Sequence, residues 1–191
     1  MARIGLVLDE VDEQIEFLAT SADTNGDVVR CRIRVAPGRA APPEHSHPRQ
    51  QETFSVEQGT LGYILGSQTL EAEAGNVVVV PSGTNHTFWN AGKSPLVVVA
   101  DITPALRAED FIETIHVLIR DGKLAAGGRR ANPLRLATVT WKYRNEWRLT
   151  KLSQAARALI PVLAFIGRRV GFQGQYWANG KTGSRAVPTA L

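Results

Sequence analysis

Two stretches decide the fold of this chain: Gly38-Arg-Ala-Ala-Pro-Pro-Glu-His45-Ser-His47-Pro-Arg-Gln-Gln-Glu52 and Gly75-Asn-Val-Val-Val-Val-Pro81-Ser-Gly83-Thr-Asn-His86-Thr-Phe-Trp-Asn90. The chain has four histidines, and three of them lie in these stretches together with Glu52. Glycine and proline punctuate both stretches, which is typical of short strands joined by tight turns. If the two stretches meet in the folded chain, their imidazoles and carboxylate form a site for one divalent metal.

The spacing within the first stretch favours convergence of its polar side chains. His45 and His47 are two residues apart, and such residues project from the same face of a β-strand. Pro48 lets the chain bend before Glu52, which can then present its carboxylate on the same side. Glu52 also begins a period-2 apolar face that predicts a strand lining an interior.

The second stretch brings the third imidazole. His86 follows a strand predicted to be buried, Val77 to Val80, and a turn at Pro81–Gly83, and its own run alternates again. Trp89 should therefore face away from His86. Three imidazoles and one carboxylate suit iron, manganese, nickel, copper or zinc, and geometry rather than affinity usually decides among these metals.

The first hundred residues read as short antiparallel strands. Val28 to Val35 places Val29, Cys31, Ile33 and Val35 on one face and arginines on the other. Phe54–Val56 and Leu61–Leu65 flank Gly59 and predict a hairpin. Eight or more short strands at this turn spacing favour an antiparallel barrel or jelly roll.

The two stretches resemble the two sequence motifs of the cupin superfamily. That family's first motif has one residue fewer between its glycine and first histidine than lies between Gly38 and His45, while Gly75 to Asn90 matches the second motif at every position. The resemblance covers roughly residues 10–103, with one motif pair. It implies a mainly β fold, a cupin jelly-roll β-barrel over 1–103, and metal-ligand roles for the set His45, His47, Glu52 and His86.

The resemblance also implies a function. We expect a metal-dependent enzyme of the dioxygenase or oxidoreductase type that acts on a small organic molecule and uses Fe²⁺, with Mn²⁺, Ni²⁺, Cu²⁺ or Zn²⁺ as alternatives. Glu52 is a candidate base and Tyr63 a candidate hydrogen-bond donor to substrate, although Tyr63 is equally explained as a buried barrel tyrosine. The expected pocket walls are Phe54, Val56, Tyr63 and Phe88.

Two other functions fit the same residues. In the first, the ion acts only as a Lewis acid in an isomerase or lyase that needs no O₂. In the second, the protein is a small-molecule-binding cupin without catalysis. The same fold hosts unrelated chemistries, so the substrate is not fixed by this pattern.

The pattern after residue 103 changes from strands to helices. Helices are predicted at Ala108 to Arg120, Leu134 to Trp147 and Thr150 to Val170, in an extension over 104–170 that packs on the barrel or on a dimer partner. His116 lies off the apolar stripe of the first helix and is expected at the surface, not as a ligand. Residues 171–191 are predicted to be a flexible tail.

The third predicted helix is unusual because nine apolar residues, Ala158 to Ile166, lie between arginines. This run is too short to span a membrane, which takes about 20 residues. We expect it to pack within the fold or on a second subunit, and peripheral contact with anionic lipid through 150–170 is the alternative.

Composition sets the remaining expectations. The chain has 191 residues and a single cysteine, so no intrachain disulfide is possible, and its short apolar N-terminal run predicts a cytoplasmic protein. Residues 1–103 hold 7 Lys and Arg against 13 Asp and Glu, while residues 104–191 hold 15 against 5. These opposite charges favour docking of the two halves, and the alternative is that the basic half contacts an anionic partner such as lipid headgroups or nucleic acid. Nothing indicates a nucleic-acid module, and the resemblance implies a homodimer.

Overall fold

The computed structural model describes residues 4–9, 12–39, 42–124 and 131–178. Within them the chain forms two antiparallel sheets followed by helices. The first sheet has the spatial order β1 (Val7–Asp9), β2 (Glu13–Ala19), β3 (Val29–Val35), β10 (Leu96–Thr103), β5 (Gln51–Gln58), β8 (Val77–Val80). The second has the order β11 (Arg148–Leu149), β4 (His45–Ser46), β9 (His86–Asn90), β6 (Thr60–Leu65), β7 (Gln68–Glu73). This is the double-sheet arrangement of a jelly roll, as predicted.

The core lies between the two sheets and is built by alternation. In β3 the residues Val29, Cys31, Ile33 and Val35 are buried, as their spacing predicts. Arg30 points to the other face, where its guanidinium forms a bidentate ion pair with Asp101 on β10, with N–O distances of 2.6 and 2.7 Å. Burial raises the pKa of the Cys31 thiol, so this cysteine behaves as a small apolar core residue.

The hairpin predicted around Gly59 is wrong. β5 pairs with β10 and β8 in the first sheet, whereas β6 pairs with β7 and β9 in the second. The chain therefore crosses from one sheet to the other at Gly59. This residue has a φ of 81°, and a Cβ there would lie 2.9 Å from the carbonyl oxygen of Pro95. Only glycine fits that crossing without strain.

The strand Val77 to Val80, expected to be buried, is buried on one face only. β8 is an edge strand of the first sheet, so Val78 and Val80 face the core. Val77 and Val79 face outward and are 60% and 46% exposed. A run of four valines does not distinguish an edge strand from a central one, because both faces look alike in sequence.

The first predicted helix forms as expected, as α1 (Ala108–Arg120), and ends at Asp121. His116 on this helix is buried rather than at the surface, so that prediction is wrong. The reason is that α1 buries polar side chains beside its apolar stripe, including Glu113 and Thr114. Periodicity identifies the apolar stripe of a helix but not a second covered face.

The second helix is shorter than predicted. α2 (Pro133–Lys142) begins at Asn132, whose side chain accepts hydrogen bonds from the amides of the first turn. It ends five residues before Trp147, because the Arg107 guanidinium donates to the Lys142 carbonyl at 2.6 Å and pairs with Glu146 at 3.1 Å. The freed residues turn and enter β11, a strand that the sequence did not predict.

The third helix, α3 (Gln154–Arg169), is close to its predicted bounds and is capped by Ser153, which accepts from the Ala156 amide. α3 packs on α2 through Ala164 and Gly167, its two buried residues. No helix among the described residues is long and apolar enough to cross a membrane.

The chain after α3 is bound to the helices over its described part. The Tyr176 amide donates to Thr114 Oγ1 at 3.2 Å, and the Ala178 amide donates to the Glu113 carboxylate at 2.8 Å. The remainder of the predicted tail, residues 179–191, lies outside the described residues.

Candidate metal centre

Three short strands from both sheets position the four predicted ligands. His45 lies on β4 directly opposite His86 on β9, and His47 follows β4 immediately. Glu52 lies near the start of β5 in the facing sheet. Since the ligands come from both sheets, the centre lies between them and forms only when the two sheets pack.

The four side chains converge closely. One ligand atom from each of His45, His47, Glu52 and His86 lies within 4.8 Å of every other, and all four residues are buried. Glu52 Oε2 is 3.0 Å from His86 Nε2 and 3.4 Å from His47 Nε2. The His45 and His86 ring centres are 4.3 Å apart. Among the described residues this is the one group of three or more histidine, cysteine or acidic side chains close enough to hold a metal ion.

Each imidazole is oriented by a backbone carbonyl. Nδ1 of His45 lies 2.8 Å from the Pro43 oxygen, and Nδ1 of His86 lies 3.0 Å from the Thr84 oxygen. Nδ1 of His47 lies 2.6 Å from the Glu146 oxygen. Since a carbonyl oxygen only accepts, Nδ1 must carry the proton in all three rings. In the neutral rings Nε2 is therefore the free electron-pair donor, which is the usual arrangement of a histidine metal ligand.

Burial and the mutual approach of the four groups set their charges. Burial, with the neighbouring histidines, lowers the pKa of His45 to about 3. Burial opposes ionisation of Glu52, but contacts with His47 and His86 outweigh it and hold the pKa of that carboxyl below its usual range. Burial likewise opposes charge on His47, but the Glu52 carboxylate outweighs it and raises the pKa of His47. The site thus holds an ionised carboxylate beside a neutral imidazole at neutral pH.

These residues fit a divalent cation. With Nδ1 protonated, His86 Nε2 and Glu52 Oε2 are both electron-pair donors at 3.0 Å, and they repel unless a proton or a cation lies near both. His47 Nε2 is buried and makes no hydrogen bond. Three imidazoles and one carboxylate form a donor set that first-row transition metals accept. A bound cation would remove the repulsion between His86 Nε2 and Glu52 Oε2. It would also give the buried His47 Nε2 atom a partner.

Two residues near the centre were not predicted from the sequence. The Glu146 carbonyl orients His47, and the Trp147 ring lies 5.7 Å from His45 and 5.3 Å from Phe111. Both belong to the segment before β11, which pairs with β4. The sequence assigned them to a helix, and a carbonyl ligand carries no residue-type signal that could have identified it.

Two further residues of the second stretch, Gly83 and Asn90, have structural roles around the ligands. The Gly83 amide donates to the His47 carbonyl at 2.8 Å, which ties the turn before β9 to the residues after β4. The Asn90 side chain donates to the carbonyls of Val35 and Ser94 at 2.9 Å. Both stretches therefore encode the frame of the site as well as its ligands.

The structure places the four candidate pocket residues in or against one core cluster. Phe54 and Val56 are 1% and 4% exposed, and both belong to the core cluster. Tyr63 pairs with Phe88 across β6 and β9, so both share the face of His86, and Tyr63 is partly buried. Tyr63 therefore faces the interior on the same side of its sheet as His86, and the ring of its partner Phe88 lies 5.1 Å from that of Phe54.

Two neighbours of the ligands were also missed. Leu65 lies directly opposite His86 in the second sheet, and Val80 lies opposite Glu52 in the first. Trp89 faces away from His86, as alternation predicted, and covers Gly62, where a Cβ would lie 2.3 Å from the indole.

The chain is similar to known proteins over the region that contains the four candidate ligands. Residues 31–102 match the family model described as "Cupin domain". The probable oxidoreductase virH of Hypocrea virens is 43% identical over 54 residues, which are 28% of this chain and 25% of that protein. Germin-like protein 1 of Brassica napus is 33% identical over 104 residues, half of each chain. This chain therefore spans between a quarter and a half of the length of these curated relatives.

Solved structures show similarity at lower identity. The structure of KdgF from Halomonas sp. is 21% identical to this chain, with a TM-score of 0.48, and the match covers 55% of this chain and 90% of that one.

Proposed function

Since residues 31–102 of this chain form a cupin domain, we propose that the protein is a metal-dependent oxidoreductase of the dioxygenase type that acts on a small organic molecule. The observation that carries the proposal is the set of three imidazoles whose Nδ1 atoms all donate to backbone carbonyls. His45, His47, Glu52 and His86 would hold one divalent metal through Nε2 atoms and a carboxylate oxygen. Fe²⁺ is the metal we propose.

When bound, Fe²⁺ would supply Lewis acidity and the one-electron chemistry that oxidation by O₂ requires. The residues of the chain provide the surroundings. Glu52 is ionised and buried, and when its carboxylate leaves the metal it is suited to accept a proton from a substrate hydroxyl. The Tyr63 hydroxyl, on the same face of the sheet as His86, is suited to donate to a substrate oxygen. Core aromatic residues and Trp147 exclude water from the centre.

The comparisons support the class of reaction. The Hypocrea virens relative carries the name of a probable oxidoreductase, and its match covers 28% of this chain. The word oxidoreductase describes that relative, and we extend it to this chain only as a proposal.

Metal content is the first test. We expect the purified protein to bind about one equivalent of Fe²⁺ and the His45→Ala/His86→Ala variant to bind none. His116→Asn is the matched control, because His116 is equally buried but stands outside the ligand group, so it should retain the metal. If none of the three proteins binds metal, the assignment of the ligands is contradicted. It is also contradicted if the double variant binds a full equivalent.

Oxygen consumption then tests the reaction type. We expect the Fe²⁺-loaded protein to consume O₂ with catechol-like, flavonol-like or thiol substrates, and Glu52→Gln to lower turnover at least tenfold (about 1.4 kcal/mol). The Glu57→Gln variant is the control, since Glu57 is an exposed carboxylate further along β5. Turnover that proceeds unchanged without O₂ would replace the proposal with a Lewis-acid isomerase or lyase. Equal ligand binding with and without the metal would replace it with a binding protein.

A further inference from the structure

The outer face of α3 is an unusual surface for a globular fold. Five large apolar residues lie on this face at the spacing of one side of a helix, four of them within α3 and Val170 directly after it. These five are exposed: Leu159 by 55%, Val162 by 54%, Phe165 by 52%, Ile166 by 42% and Val170 by 60%. The opposite face packs on α2 through Ala164 and Gly167. Contiguous exposed apolar residues of this kind mark interaction sites rather than ordinary surface.

The charged residues of this helix and its described flanks are all basic. Residues 147–178 contain no Asp or Glu and five Lys and Arg. Arg169 lies over the Phe165 ring at 4.9 Å, next to the apolar face. Arg168 is exposed at the same end of the helix, whereas Lys151, which precedes the helix start, already pairs with Glu44 at 3.2 Å.

This combination distinguishes between two occupants of the face. A second copy of the chain would cover the apolar residues, but its α3 contains no Asp or Glu that could pair with Arg168 and Arg169. An anionic lipid surface covers the apolar residues and neutralises the arginines at once. The charge complementarity therefore favours lipid.

We propose that α3 binds peripherally to anionic lipid bilayers, with its apolar face inserted at the headgroup boundary and its basic residues on the headgroups. The helix lies in the plane of the surface, because 16 residues with exposed apolar side chains on one face suit an interfacial helix rather than a span. α3 follows β11 after four residues, and β11 pairs with β4, which carries His45.

Vesicle flotation with the full chain tests the proposal. We expect the protein to float with vesicles of phosphatidylcholine and phosphatidylglycerol at low salt, and not with phosphatidylcholine alone. The Val162→Asn/Phe165→Ser variant should lose at least about tenfold in partitioning, since it removes two large apolar side chains from the face. Arg168→Glu/Arg169→Glu should lose a comparable amount, and salt should weaken binding of the original protein.

The matched control is Val77→Asn/Val79→Ser on β8. These valines are as exposed as those of α3 but lie on the edge strand of the first sheet, so this variant should float like the original protein. Melting temperature and metal content, measured for every variant, establish that each is folded. Absence of flotation at low salt overturns the proposal, as does equal flotation of the folded α3 variants. A dimer that the Val162→Asn/Phe165→Ser change splits, without vesicle binding, would assign the face to a second copy instead.

Discussion

At the scale of single residues, two features of His45 both keep its imidazole ring neutral. Its Nδ1 proton is fixed on the Pro43 carbonyl, and its ring is buried among two other imidazoles. A second proton on this ring would be a buried charge among further buried histidines, which is costly. The pKa of about 3 therefore describes a ring that stays neutral, as a metal ligand must, under conditions where free histidine is charged.

This pKa predicts how the stability of the metal-free protein depends on pH. His45 binds a proton in the unfolded chain but not in the native protein, so stability must fall as pH drops below the unfolded pKa. From about pH 6 to about pH 4.5 the loss attributable to His45 should be about 2 kcal/mol. Urea unfolding of chelator-treated protein measures it, and the His45→Gln variant should show a shallower decline.

The other two shifted groups act mainly outside that window. The raised pKa of His47 adds stability that is present below its unfolded pKa and is lost as pH rises through the native value. The lowered pKa of Glu52 adds stability that is lost in more acidic solution, below the unfolded pKa of a glutamate. Equal declines for the original protein and His45→Gln would contradict the assignment to His45.

Sequence reasoning worked well for side chains of distinctive chemistry and poorly for the atoms that orient them. His45, His47, Glu52 and His86 were identified because imidazoles and carboxylates at these spacings are uncommon. The acceptors of the three Nδ1 protons are backbone carbonyls, which every residue has. The burial of His116 also escaped prediction, because it depends on what packs against α1.

At the scale of elements, β11 is the piece that joins the helical extension to the metal centre. It is two residues long, and it pairs with β4 so that Leu149 lies opposite His45. The preceding turn places the Trp147 ring between His45 and Phe111. A short strand of this kind has little intrinsic stability, so its position depends on these contacts.

Replacing Trp147 by alanine should therefore change the metal centre without removing a ligand. We expect Trp147→Ala to shift the visible absorption bands of the Co²⁺-substituted protein and to weaken Co²⁺ binding about tenfold, as loss of an outer contact commonly does. Trp141→Ala is the control, because Trp141 lies on α2 and contacts Arg144 instead of a ligand. Identical spectra for both variants would show that Trp147 covers neighbouring residues without influencing the metal.

The contact between α2 and α3 depends on one glycine. A Cβ at Gly167 would lie 2.4 Å from Thr138 Oγ1 and 2.8 Å from the Leu134 carbonyl oxygen. The first of these atoms can move, but the second is backbone. We expect Gly167→Ala to cost about 1–3 kcal/mol through overpacking and to make α3 more sensitive to protease.

Ala158→Ser is the control for that prediction, since it adds one heavy atom on the exposed side of the same helix. Thermal melting with limited proteolysis measures both effects. A Gly167→Ala protein that melts like the original and keeps α3 protected would contradict overpacking and would mean that the contact accommodates the extra methyl group.

Periodicity predicted most elements but few of their partners. The strands β3 and β9 and the helices α1 and α3 follow directly from the alternation or spacing of apolar residues. The crossing at Gly59 was misread as a hairpin, because a glycine between two apolar runs suits both. α2 was extended too far because Arg107, far away in sequence, ends it.

At the scale of the whole molecule, the two halves are joined less by charge than their composition suggested. The ion pair Lys151–Glu44 links them at 3.2 Å, but the lysine side chain is 80% exposed and such pairs contribute little. Hydrogen bonds between the halves are better placed. His47 Nδ1 donates to Glu146, and the buried Gln50 side chain donates to the carbonyls of Pro104 and Ala105 at 2.9 and 3.0 Å.

These contacts make the metal centre a shared structure of both halves, which leads to a prediction for hydrogen exchange. A metal present at a hundred times its Kd stabilises the native protein by about 2.7 kcal/mol, which is about a hundredfold slowing of exchange through global unfolding. We expect slowing in peptides that cover 45–52 and also in those that cover 146–150, although the latter supply no ligand side chain. The ligand-free variant His45→Ala/His86→Ala should show no change on metal addition.

The internal comparison is α3, whose outer residues are exposed and do not belong to the ligand group. Peptides covering 159–166 should respond less than those covering 146–150, because local opening of an exposed helix does not require loss of the metal. Slowing confined to 45–90, with 146–150 unchanged, would contradict the coupling and would leave the extension as a separate unit that merely contacts His47. Slowing in both regions would mean that the helical half stabilises the metal centre through the Glu146 carbonyl and β11.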